Sequence, residues 1–70
     1  MNTTMTTQLP TSGQFVMLNE FEGKIWGQTY RYNEEKLEVM GLVVADTWSV
    51  VEDFEEMHAD INILGYIVEA

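Results

Sequence analysis

The sequence has no cysteine, one proline, one histidine and three basic residues in 70 positions. Each shortage removes a class of function. Without cysteine there is no disulfide and no thiolate metal site, and the composition fits the cytosol. One histidine rules out a site built on a histidine pair. Lys24, Arg31 and Lys36 stand against twelve acids, for a net charge of −9. That field repels phosphates, so neither direct nucleic-acid binding nor docking on an anionic membrane is expected. No apolar run is longer than Leu42-Val43-Val44-Ala45, far short of the roughly 20 residues of a membrane-spanning helix. Residues 1 to 13 hold no Lys, no Arg and no apolar core, so no secretory signal is expected there.

Catalytic and metal patterns are also missing. No GxSxG elbow occurs. Residues 46 to 60 lack the alternating Asp/Asn, central Gly and terminal Glu of a calcium loop. His58 has Glu55 and Asp60 nearby, yet its ordinary role at that position is a helix-end histidine, favoured by the dipole. The many carboxylates read as a solvated face rather than as an acid–base pair across a cleft. The sequence therefore points away from an enzyme, and no cofactor or metal is expected.

What is present is a chain with 46% apolar residues, enough for a core and too many for a disordered segment. Ordering a chain of this length costs on the order of 100 kcal/mol, at about 1.5 per residue. A core this small barely offsets that, which favours a partner or self-association.

Residues 1 to 12, MNTTMTTQLPTS, show no periodicity and read as a flexible arm ahead of one domain over 13 to 70. Period-two alternation marks strands at 14–21, 24–32 and 36–44, with a hairpin at Glu22-Gly23 and a polar turn at Asn33-Glu34-Glu35. Asp46 or Thr47 is expected to cap a helix over 47–59. Val50, Phe54, Met57 and Ile61 follow one helical face. INILGYIV at 61–68 closes the chain as a strand. The expected fold is α+β, a small antiparallel sheet of about four strands with one helix packed on one face, in the order β-β-β-α-β.

The charge is uneven. Residues 1 to 33 are neutral overall, and residues 34 to 70 carry ten acids against Lys36 alone. On the expected helix, Glu52, Glu56 and Asp60 repeat every four residues, a spacing at which like charges destabilise by about 0.2–0.5 kcal/mol per pair. No Lys or Arg occurs between 45 and 70 to offset them. Carboxylates so arranged can stand in for phosphates before a basic protein; the alternative source of such acidity is solubility. A second surface is aromatic: Trp26, Tyr30 and Tyr32 share one strand face, with Trp26 expected in the core. In size, acidity and element order the chain resembles small inhibitors encoded by phages and other mobile elements, in general character and without a shared motif.

The expected function is thus a non-enzymatic acidic inhibitor or adaptor, a nucleic-acid mimic that occupies a basic groove of a nucleic-acid-handling protein in the cytoplasm. The expected contact residues are Glu34, Glu35, Glu38, Glu52, Asp53, Glu55, Glu56 and Asp60, with Tyr30 and Tyr32. The alternative is a small structural or regulatory subunit of a larger complex, or a homodimer, using a strand edge or the tyrosine face.

Overall fold

Alternating apolar residues over 14–21 become a strand with Phe15, Met17 and Asn19 buried on one side and Val16 and Leu18 half-buried on the other. The computed structural model describes residues 3–42 and 44–69. Its strands are β1 (Thr3–Thr6), β2 (Gln14–Phe21), β3 (Lys24–Asn33), β4 (Lys36–Met40), β5 (Trp48–Val50) and β6 (Asn62–Glu69), and its one helix is α1 (Phe54–Met57). All six strands form one sheet in the order β1-β6-β2-β3-β4-β5, every pair antiparallel.

This corrects the expected fold. The sheet has six strands, not about four, and the helix is a single turn rather than residues 47–59. Trp48-Ser49-Val50 satisfies period two as well as helical spacing, and the backbone of Glu38–Met40 is available to pair with it. Asp46 sits at φ +66, outside the extended conformation of an N-cap. Thr47 turns its hydroxyl to the Val44 carbonyl, 2.6 Å away. The cap is Asp53 instead, in extended backbone, its Oδ1 accepting the Glu56 N–H at 3.1 Å. Glu52 and Asp60 therefore lie outside the helix, and the expected stripe of Glu52, Glu56 and Asp60 does not form. Val50 is exposed in β5, while Phe54 and Met57 do pack on the core.

The strand expected over 36–44 stops at Met40. Gly41 turns the chain at φ +75, and its N–H donates to the Thr47 carbonyl at 2.9 Å. Val43, expected on that strand, lies outside the described residues. Within the segment read as an arm, β1 pairs with β6 from Thr3↔Glu69 to Thr6↔Tyr66. Met5 lies so close over Gly65 that a Cβ there would come within 2.6 Å of Met5 Cε.

The core is Phe15, Met17, Tyr30, Val39 and Tyr66, all on the sheet face that α1 covers. Phe15 stacks on Tyr30 at 5.5 Å between ring centroids, and Tyr66 meets Phe15 edge-on at 5.8 Å. A register shift between Leu18 and Asn19 keeps Ile63 opposite Asn19 and on that inner face.

Both tight hairpins need left-handed backbone. Glu22-Gly23 meets this with φ +54 and +80, and Glu34-Glu35 with φ +53 and +66. Two consecutive non-glycine residues there are strained, at about 1–2 kcal/mol each. Replacing Glu34-Glu35 with Asn-Gly, the preferred pair for such a turn, should stabilise the fold by about 1–2 kcal/mol. Thermal unfolding checks this, with about 4–8 °C expected per kcal/mol. A melting temperature that stays put would refute the strain.

Candidate partner-binding surface

The acidic connection between β5 and β6 is pinned to the sheet by His58. This residue caps the C-terminal end of α1 and is buried. Its Nδ1 lies 2.7 Å from the Phe54 carbonyl, which can only accept, so Nδ1 carries the hydrogen. In the neutral ring Nε2 then accepts from the Tyr30 hydroxyl, 2.5 Å away. Phe54 meets the Tyr30 ring edge-on at 6.1 Å. The helix-end histidine of the sequence is thus also a buried link between helix and sheet. Nothing in the sequence but the i, i+4 spacing of Phe54 and His58 marks that role, because Tyr30 is 28 residues away.

Tyr30 is fully buried, so it offers no surface to a partner. Burial, and secondarily the neighbouring Tyr66, pushes its phenol well above the ordinary tyrosine range. Tyr66 is raised for like reasons, burial first and Tyr32 second. Tyr32 is half-buried and donates its hydroxyl to the Pro10 carbonyl at 2.9 Å. Trp26, expected in the core, is 39% exposed, because the short α1 does not cover that end of β3.

With His58 holding one side of α1 down, Glu52, Asp53, Glu55, Glu56 and Asp60 are all exposed. Asp53 also serves the helix as its cap. Glu34 and Glu35 are exposed at the β3–β4 turn. They lie at the other end of β3 from Glu56 and Asp60. Glu56 and Asp60 line a hollow with Trp26 near the start of β3, and the turn follows its last residue, Asn33. At about 3.3 Å per strand residue, Glu56 and Asp60 are roughly 20 Å from that turn. Glu38 is committed within the chain: its Oε1 accepts from Arg31 Nε at 2.7 Å, and the Arg31 guanidinium sits 4.1 Å from the centre of the Trp48 ring. The ten expected contact residues therefore do not converge on one patch. Of the five carboxylates between 52 and 60, Glu56 and Asp60 come together at that hollow, while Glu52 follows Val51, whose N–H donates to the Leu37 carbonyl of β4 at 2.8 Å.

Among the described residues no three His, Asp or Glu side chains are placed to hold a metal ion, and no helix is long and apolar enough to cross a membrane. A hollow of about 580 Å³ lies where the start of β2 meets the end of β6, and Glu69 is its one charged lining residue among the described residues. No protein-family model matches the chain, and no curated protein or solved structure matches it.

Proposed function

We propose that this chain is a non-enzymatic cytoplasmic binding protein, an inhibitor or adaptor that engages a basic protein surface through the carboxylates of residues 52–60. A groove that otherwise holds nucleic acid is the surface such an array fits best. One observation carries the reading: five carboxylates project from a single short connection, and among the described residues none of them has an ion-pair partner. The one ion pair among the described residues, Arg31–Glu38, lies on the other face of the sheet. Charges left uncompensated along one connection steer a complementary partner and speed its association.

The test is capture of partners from the source cells, followed by elution with salt. The reading expects basic proteins that are released as the screening length falls from about 10 Å at 0.1 M to about 3 Å at 1 M. Partners that stay bound through 1 M salt would oppose it.

A second reading, the subunit or homodimer, is favoured by the outer face of the sheet. In register, Met5, Ile67 and Val16 form one row, Met40 and Trp48 another. Ile25 and Val50 are exposed, and no described element covers this face. Sedimentation over a range of concentrations should then show a dimer that Ile25→Lys with Met40→Lys dissolves; a monomer at every concentration would remove the homodimer.

A further inference from the structure

At the open end of the inner face, Phe21, Trp26, Met57 and Ile61 wall a pocket of about 400 Å³, and Glu56 and Asp60 complete its lining. Phe21 is 45% exposed, so two aromatic rings there face outward. Asn19 lies on the same face, opposite Trp26 in register. It is fully buried, and among the described residues neither amide atom has a hydrogen-bond partner.

The chain itself shows which group suits such a setting. On the outer face the Arg31 guanidinium is held between an indole ring, Trp48, and a carboxylate, Glu38. Trp26 with Glu56 and Asp60 repeats the indole and the carboxylate, and among the described residues no cation lines the pocket. Lys24 sits two residues before Trp26 on β3, opposite Phe21, but it is exposed and forms no ion pair among the described residues.

We propose that this pocket receives an arginine side chain of the basic partner, the guanidinium lying on Trp26 and bonding to Glu56 and Asp60. The inference rests on the proposed function and deepens it, by naming the residue the partner presents. Arginine fits better than lysine for two reasons. Its planar group stacks on an indole face, and its fixed fork of N–H donors serves two carboxylates at once. Its three-carbon stem covers the apolar wall of Phe21, Met57 and Ile61 while the charged head stays at the acidic rim. Asn19 lies on the same face but does not line the pocket, so the acceptors offered to the guanidinium are the two carboxylates.

The probe is a capped Gly-Arg-Gly peptide, with Gly-Lys-Gly and the neutral Gly-citrulline-Gly as comparisons. The readout is the NMR shift of the Trp26 indole N–H during titration, identified by its loss in Trp26→Leu. Trp48, already stacked on Arg31, supplies a second indole signal as reference. The arginine peptide should move the Trp26 signal saturably and leave Trp48 in place. The lysine peptide should bind more weakly, and the citrulline peptide at least tenfold more weakly. Glu56→Gln with Asp60→Asn should weaken the arginine peptide by a similar factor. Glu34→Gln with Glu35→Gln should leave it unchanged, and Lys24→Gln should leave it unchanged or tighten it.

Equal shifts from arginine and citrulline, or a response abolished by the Glu34/Glu35 variant instead, would overturn the proposal. Thermal unfolding of Trp26→Leu shows that the variant is folded. The two readings fail separately. If Trp26→Leu keeps full, salt-sensitive binding to the captured partner, the pocket is wrong and the acidic surface stands. If the peptide responses hold while partner binding ignores salt, the acidic surface is wrong and the pocket stands.

Discussion

Tyr30→Ala should leave the protein largely unfolded at 25 °C, with no cooperative thermal transition in circular dichroism. Tyr30 is fully buried at the junction of sheet and helix, stacked on Phe15 and edge-on to Phe54. Truncating a buried aromatic side chain costs about 3–5 kcal/mol. The loss also strips His58 Nε2 of its partner inside the core, adding about 1–3 kcal/mol. A domain of this length has a total stability of only about 3–10 kcal/mol, at roughly 0.05–0.15 per residue. A cooperative melt within a few degrees of the wild type would show that the core is placed elsewhere. Tyr30→Phe separates the ring from the hydroxyl. Because burial raises the Tyr30 phenol in the folded chain, the unfolded chain loses its proton first as pH rises. The contribution is fully present below the ordinary tyrosine value of about 10 and is lost above it, by about 1.4 kcal/mol per pH unit for one such group. Urea midpoints from pH 8 to 12 should fall less steeply for Tyr30→Phe than for the wild type, with Tyr66 retaining part of the slope.

Reversing Glu52, Glu55 and Glu56 to Lys should reduce the association rate with a basic partner by about 10–10³-fold at low salt. The substitutions change the chain from −9 to −3 and leave Asp53 and Asp60 as the only acids between 52 and 60. The fold should survive, because all three side chains are exposed and the Asp53 cap is retained. Cations in the first helical turn oppose the dipole by about 0.3–1 kcal/mol each at most, partly offset by relief of like-charge repulsion. The difference between variant and wild type should shrink toward 1 M salt, where the screening length is about 3 Å. Glu34→Lys with Glu35→Lys, roughly 20 Å from Glu56 along β3, should have the smaller effect. A triple variant that associates as fast as wild type at low salt would sink the acidic-surface reading, whatever the stability data say.

Several elements were legible in the sequence for local reasons. Alternation placed β2 at 14–21, because period two is a property of the backbone and needs no knowledge of the neighbours. Glu22-Gly23 announced its hairpin, since glycine accepts the positive φ at the second turn position. The segment 46–60 was not legible. Val50, Phe54 and Met57 satisfy helical spacing, while Trp48-Ser49-Val50 equally satisfies a strand. The presence of β4 as a partner decides between them. Trp26 and Tyr30 share one face of one strand, and no local signal distinguishes the half-open residue from the fully buried one. The reach of α1 across the sheet makes that distinction.

The candidate surface divides the same way. That the excess charge lies after residue 33, and that no cation stands between 45 and 70, follows from the sequence alone, because charge is carried by residue identity and not by conformation. Which carboxylates are available to a partner depended on contacts distant in sequence. Arg31 consumes Glu38 across the β3–β4 ladder, and His58 reaches back to Tyr30 to turn the remaining acids outward. The pairing of β1 with β6, and the pocket where Trp26 meets Glu56 and Asp60, are likewise tertiary. Such pairings carry no local signature, since the free energy that selects them comes from burying surface that only the assembled sheet creates.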